Sequence, residues 1–166
     1  MIVYLNGNIE PELVDKLSEA LNKLQKNKSL SIYLHTDGGD LNAQETILDI
    51  IDNNRDKIEL IGSGFLFSAG FNIFFRATCK KRLAFDTVGM AHFIWTAVEI
   101  DQSGRAKSDF DKFQSKELKR SKKAYIEFFK ELGLTSTELN DIKKGNEHYF
   151  TNERMTELLN NENGKK

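Results

Sequence analysis

Residues 29–51 read SLSIYLHTDGGDLNAQETILDII, and the fold class can be worked out from this stretch. The apolar and β-favouring residues up to Thr36 predict a strand, which the turn DGG at 37–39 ends. Asp40 then stands where a helix N-cap is expected. The helix that follows has one apolar stripe, formed by Ala43, Ile47, Ile50 and Ile51. A strand, a glycine turn and an amphipathic helix predict a βα unit of a mainly parallel sheet.

A predicted strand followed by a predicted helix also occurs before this stretch and after it. Residues 1–7 (MIVYLNG) predict a strand, and Pro11 suits the first turn of the next helix. The stripe of that helix consists of Leu13, Leu17, Leu21 and Leu24. Residues 58–64 (IELIGSG) predict a third strand, and residues 68–79, apolar nearly all round, predict a helix buried on every side. Functional residues are therefore expected at the carboxyl ends of the strands.

The second half of the chain predicts fewer strands and more helix. Residues 82–85 (RLAF) and 88–94 (VGMAHFI) predict strands, and residues 99–107 predict a polar hairpin around Ser103-Gly104. Residues 109–132 predict the longest helix. Its apolar side consists of Phe110, Phe113, Tyr125, Phe128, Phe129 and Leu132.

Two short helices and a tail complete the chain. Residues 135–144 predict one capped helix, and residues 150–161 predict another with Thr151 as its N-cap. Residues 161–166 predict a frayed tail. The 166 residues, 39% of them hydrophobic, predict one α/β domain over 1–166.

Composition excludes several classes of function. The 24 basic and 25 acidic residues nearly cancel, so no long-range attraction to nucleic acid or to an anionic membrane is expected. The basic first half of the 109–132 helix is typical of a solvated face. Cys79, the one cysteine, cannot form an intramolecular disulfide, and no secretory signal or membrane span is evident. These features predict a cytoplasmic protein.

Ser68 is a candidate nucleophile. It ends the glycine-rich turn GSGFLFS at 62–68, which is no dinucleotide fingerprint, because Phe67 replaces the third glycine. Leu66 likewise excludes the GxSxG elbow. A serine that opens a buried helix has free N–H groups and a positive helix end beside it, as a developing oxyanion requires. The alternative is an ordinary N-cap serine.

A base and an oxyanion hole can be assembled around Ser68. His92 stands at the end of the strand VGMAH, from which it could accept the Ser68 proton, although a lone strand histidine is usually structural. Gly38 and Gly39 end the neighbouring strand. A backbone N–H from this turn and the N–H of Ala69 could together bind an oxyanion.

These motifs, in this order, resemble those of the proteolytic subunit of the Clp proteases over almost the whole chain. HTDGG at 35–39 matches the family's Asn-Ser-Pro-Gly-Gly turn. The spacing of Gly64, Ser68 and Gly70 matches the serine motif, and Met90-Ala91-His92 at 90–92 matches Met-x-His. The resemblance implies the repeated ββα superhelix that this family shares with crotonases, with the 109–132 helix as a protruding handle.

The resemblance also implies a mechanism and partners. Ser68 would be the nucleophile, His92 the base, and Gly39 and Ala69 the oxyanion donors, with no metal or organic cofactor. Glu147, at the start of Glu147-His148-Tyr149-Phe150-Thr151, matches the family's acid, with Asp141 as the alternative. The substrate would be a peptide or unfolded protein, and the protein a homo-oligomeric ring, heptameric or stacked.

Some residues depart from the family pattern. The turn and the segment after His92 lack the family's prolines, and Phe67 replaces an alanine. The chain opens at its first strand, without the axial loops that help to dock an unfoldase, so coupling to an ATPase is not expected. His35 replaces an asparagine and predicts a supporting hydrogen bond, and His148 predicts a surface residue.

Two other functions are compatible with these residues. A Clp-like scaffold with a decayed site would serve in binding or assembly. A crotonase-type acyl-CoA enzyme would share the superhelix and an oxyanion hole, but it would not need Ser68 and His92 together.

Overall fold

A computed structural model describes residues 1–93 and 108–164 of the chain. The polar hairpin predicted for 99–107 lies outside these residues. The strands are β1 Ile2–Asn6, β2 Leu30–Thr36, β3 Ile58–Phe67, β4 Lys80–Leu83, β5 Val88–Ala91 and β6 His148–Phe150. The helices are α1 Pro11–Asn22, α2 Leu41–Asn53, α3 Ala69–Arg76, α4 Asp109–Leu132, α5 Ser136–Lys143 and α6 Asn152–Asn163, with a 3-10 turn at Arg55–Lys57.

Six strands form one sheet in the order β1-β2-β3-β5-β6, and β4 also pairs with β3. All pairs are parallel except β5 with β6. The mainly parallel α/β sheet predicted from the sequence is therefore confirmed.

The predicted start signals lie where the helices begin. Pro11 opens α1, and the Asp40 carboxylate accepts the Ala43 N–H at 2.8 Å at the start of α2. Thr135 forms a capping box with Glu138 before α5. Thr151 accepts the Arg154 N–H before α6. Local side-chain chemistry thus fixes these four boundaries.

The core lies on one face of the sheet, and α3 is buried within it. Every residue from Ala69 to Phe75 is buried. The helix ends at Arg76, and does not continue to Cys79 as predicted. Beyond its end, the Asp52 carboxylate accepts the Thr78 N–H at 2.8 Å and directs the chain towards β4.

Two features at the carboxyl end differ from the sequence-based expectation. β6, a strand of three residues, was not predicted. The helix α6 continues through Asn163, so the frayed tail does not begin at residue 161. Glu162 lies in its last turn, and the ion pair that Glu162 makes with Lys81 at 2.6 Å holds this turn against β4.

The chain forms two compact units. The first consists of Met1–Ala91 and His148–Lys166, and the second of His92–Glu147. The second unit contains α4 and α5 and has its own buried residues, which are Phe93, Phe129, Leu132, Leu134, Leu139 and Ile142. Within residues 1–93 and 108–164, none of the helices combines the length and the apolar character that crossing a bilayer would require.

Candidate active site

Ser68 lies where β3 passes into α3, and its backbone is strained. Its φ of 52° and ψ of −111° are values that residues with side chains rarely adopt. It occupies the N-cap position of α3, yet its side chain makes no capping hydrogen bond. Capping therefore does not explain this serine. Backbone strain of this kind concentrates at functional sites.

The glycine turn after β2 packs directly against Ser68. Gly38 has a φ of +111°, and a Cβ atom built on it would lie 2.8 Å from Ser68 Cβ and 3.3 Å from Ser68 Oγ. A side chain at Gly38 would displace the serine. The structure thus brings together the turn and the candidate nucleophile.

Hydrogen bonds hold this turn on both sides. The Gly38 N–H donates to Thr36 Oγ1 at 3.0 Å. Ile9 brackets the turn, because its N–H donates to Gly38 O and its carbonyl accepts the Asp40 N–H, both at 2.7 Å. Neither Thr36 nor Ile9 was a predicted site residue. A threonine two residues before a glycine is a recognisable turn signal, whereas the part played by Ile9 depends on tertiary structure.

Two backbone N–H groups concern the candidate oxyanion hole, one in the glycine turn and one at the start of α3. Among the residues that the structure describes, none accepts the N–H of Gly39 or of Ala69. Ala69 is the first residue of α3, where N–H groups have no acceptor within the helix. The Ser68 N–H is already used, since it donates to Met90 O at 2.8 Å.

His92 and both candidate acids belong to the second unit. His92 follows β5 directly and is half-buried, with its Nδ1 atom inaccessible to solvent. The last antiparallel pair of β5 and β6 is Ala91 with His148. His92 is the residue after Ala91, and Glu147 is the residue before His148. Glu147 is exposed. Asp141 is half-buried and accepts the Asn146 Nδ2 hydrogen at 2.6 Å.

The other imidazoles and the thiol have different surroundings. His35 Nδ1 accepts the Phe65 N–H at 3.1 Å, a supporting contact of the predicted kind. His148 lies in β6 with an edge-to-face contact to the Phe150 ring, and it is half-buried where a surface residue was expected. Burial raises the pKa of the Cys79 thiol, which makes Cys79 a poor nucleophile.

Comparison with known proteins identifies the family. The family model for Clp protease matches residues 1–157. The chain belongs to the Clp protease family. The ATP-dependent Clp protease proteolytic subunit 3 of Rhizobium etli and that of Rhizobium johnstonii are each 29% identical to it over 83 residues. Each alignment covers 49% of this Clp-family chain and 43% of the relative, so the match spans less than half of the relatives' length.

The fold agrees with the family. A ClpP1 mutant from Listeria monocytogenes superposes with a TM-score of 0.69 at 21% identity, over 95% of this chain and 86% of the other. The ClpP-like fold implied by the sequence motifs is therefore confirmed.

Proposed function

We propose that this Clp-family chain is a serine endopeptidase in which Ser68 is the nucleophile. The observation that carries the proposal is the strained backbone of Ser68, which occupies an N-cap position without capping the helix. A strained backbone costs free energy, and such strain is found mainly at residues whose side chains have a function. Family membership supports peptide-bond hydrolysis as that use.

His92 is the general base of the proposed reaction. Ser68 Oγ attacks the substrate carbonyl carbon, and its proton passes to His92, which later donates it to the leaving amine. Water then attacks the acyl-enzyme with His92 again as base, which frees the acid product. The match of Met90-Ala91-His92 to the family's Met-x-His motif supports this role for His92.

The oxyanion donors are the N–H groups of Gly39 and Ala69. Both are backbone donors held by rigid surroundings, Gly39 by the bracketed turn and Ala69 by the buried start of α3. Such preorganised N–H groups favour the tetrahedral intermediate without reorganising during the reaction.

Glu147 is the acid that orients His92. The register of β5 and β6 favours it, since Ala91 pairs with His148, and His92 and Glu147 are the next residues beyond this last pair. Asp141 is already engaged with Asn146. We therefore expect Glu147→Gln to lower kcat more than Asp141→Asn. The opposite order would assign the role to Asp141, and two neutral substitutions would leave a Ser-His dyad.

Peptide turnover tests the proposed function. With a fluorogenic peptide or unfolded casein as substrate, Ser68→Ala should lower kcat about 10⁶-fold, the order of loss seen when a serine nucleophile is removed. Cys79→Ala is the matched control and should retain the wild-type rate. A wild-type protein whose turnover is unaffected by Ser68→Ala would favour the scaffold function instead.

A further inference from the structure

The strand that leads to Ser68 contains an irregular segment beside His35. Leu34 of β2 pairs with Gly62 of β3, but Thr36 pairs with Leu66, so β3 has two extra residues between these pairs. After this bulge β3 pairs with β5, ending with Phe67 opposite Met90. The bulge thus sets the register of the segment that ends at Ser68.

His35 fits into this bulge through one ring nitrogen. Its Nδ1 accepts the Phe65 N–H at 3.1 Å and lies 3.1 Å from Ser63 O. The ring stacks on Phe65 with centroids 5.3 Å apart. Gly64 has a φ of +65°, and a Cβ atom there would overlap His35 Nδ1. The close approach of ring and bulge therefore depends on a glycine.

The two contacts of Nδ1 require opposite protonation states. An unprotonated ring nitrogen accepts a hydrogen bond, whereas a protonated one only donates. Nδ1 can accept a hydrogen bond from the Phe65 N–H when it is unprotonated, and it can donate one to Ser63 O when it carries a proton. In the neutral tautomer with its proton on Nε2, uptake of a proton at Nδ1 therefore exchanges one partner in the bulge for the other.

We propose that His35 is a positioning residue that holds the segment before Ser68 in its productive register only while Nδ1 is unprotonated. Peptide turnover then falls in acid through two groups, His35 as well as the base His92. This role rests on the proposed function of Ser68. It gives the chain a second acid-sensitive histidine, separate from the base.

The charged and titratable groups on the elements around His35 bear on this proposed pH dependence. The charged or titratable residues on β1, β2, β3, α3 and the turn after β2 are Tyr4, Tyr33, Asp37, Asp40, Glu59 and Arg76. Glu59 lies opposite Ser31 at the far end of β2, and Arg76 bonds to Glu45. Asp40 caps α2. Exposed Asp37, two residues along, is thus the carboxylate nearest in sequence to the imidazole.

Amide exchange tests the hydrogen bond without relying on activity. His35→Phe keeps an aromatic ring for Phe65 but removes the acceptor, while His35→Asn keeps an acceptor close to the Nδ1 position. The protection factor of the Phe65 N–H should fall about tenfold in His35→Phe, as expected for one lost hydrogen bond, and should be retained in His35→Asn. In the wild type it should also fall in acid. Equal protection in all three proteins would overturn the proposal.

The pH profile of kcat/KM tests the link to turnover. The acid limb should fall with the square of proton concentration in the wild type and in the control His148→Asn, and with the first power in His35→Asn. Equal limbs in all three would overturn the role in turnover. A wild type without Ser68-dependent turnover would instead overturn the proposed peptidase, and Phe65 protection would still report on the His35 contact.

Discussion

Ser68 and Gly38 are in such close contact that Gly38 tolerates no side chain. Two separate properties of Gly38 restrict it, a positive φ and the nearness of Ser68. Gly7 shares only the first, because its φ is +99° and a Cβ atom there would have no neighbour within 4 Å. A comparison of substitutions at Gly38 and at Gly7 therefore separates the effect of backbone strain from the effect of contact with Ser68.

We predict that Gly38→Ala lowers the peptidase rate much more than Gly7→Ala. Gly7→Ala should lower the free energy of unfolding by about 1–2 kcal/mol, the cost of a side chain at positive φ, and Gly38→Ala should lower it at least as much, because its Cβ would also overlap Ser68. Only Gly38→Ala should displace Ser68, with a loss of at least about tenfold in kcat. Rates are to be compared per folded molecule, with the folded fraction measured by denaturant unfolding. Equal rates in the two variants would contradict the contact between the turn and the nucleophile.

For individual residues, the sequence predicted the candidate side chains better than it predicted their backbone conformations. The motif around Ser68 and the Asp40 cap were visible, because both depend on neighbouring residues. The positive φ of Ser68 was not, because nothing local favours that conformation in a serine. It is imposed by the junction of β3, β5 and α3.

Among the elements, α6 supports the strand that precedes His92. Met155 of α6 fills the space over Gly89 of β5, where a Cβ atom would overlap its sulfur. Lys81 anchors the far end of α6, since its side chain is 1% exposed and its ammonium bonds to both carboxylate oxygens of Glu162. Such a buried ion pair is costly to break from one side only.

We predict that Glu162→Ala destabilises the protein more than Lys81→Met does. Removal of Glu162 leaves a buried ammonium without its carboxylate, which costs about 3–5 kcal/mol. Methionine removes the buried charge and keeps much of the volume, so the loss should be smaller. Lys80→Met is the control, because the Lys80–Glu59 pair is exposed on the lysine side and contributes at most about 1 kcal/mol. Urea unfolding gives all three values, and equal losses in the three variants would contradict this account.

Helices and strands were predicted well where the hydrophobic pattern extends over many residues. The bounds of α4 were predicted as observed, because twenty-four residues give a clear period. β6 was missed, since three residues give no detectable alternation. The bulge in β3 was missed for another reason, because only the pairing with β2 and β5 reveals it.

For the whole molecule, α4 is the candidate surface for self-association. Phe113 is 60% exposed, whereas Phe129 and Leu132 are buried. Tyr125 and Phe128 both contact the Phe129 ring, at centroid distances of 5.9 and 5.4 Å. Phe113 is therefore a cleaner interface probe than Tyr125 or Phe128.

We predict that the protein forms a ring of several 19.0 kDa subunits and that Phe113→Glu weakens the stacking of rings. An exposed aromatic side chain on a long helix favours burial against another copy. The double variant Tyr125→Lys with Phe128→Glu should also disrupt stacking, but with some loss of stability. Light scattering after size exclusion measures the mass. A monodisperse monomer at tens of micromolar, roughly where weak oligomers form, would contradict a ring.

Covalent labelling of Ser68 by a fluorophosphonate, read by intact mass and peptide mapping, shows directly whether this serine is an activated nucleophile. Only a serine activated by a base beside an oxyanion hole reacts readily with this reagent. We predict one adduct per chain, on Ser68, which is abolished in His92→Ala and retained in Cys79→Ala. A wild-type protein that stays unlabelled, while a known serine peptidase in the same tube is labelled, would contradict the account.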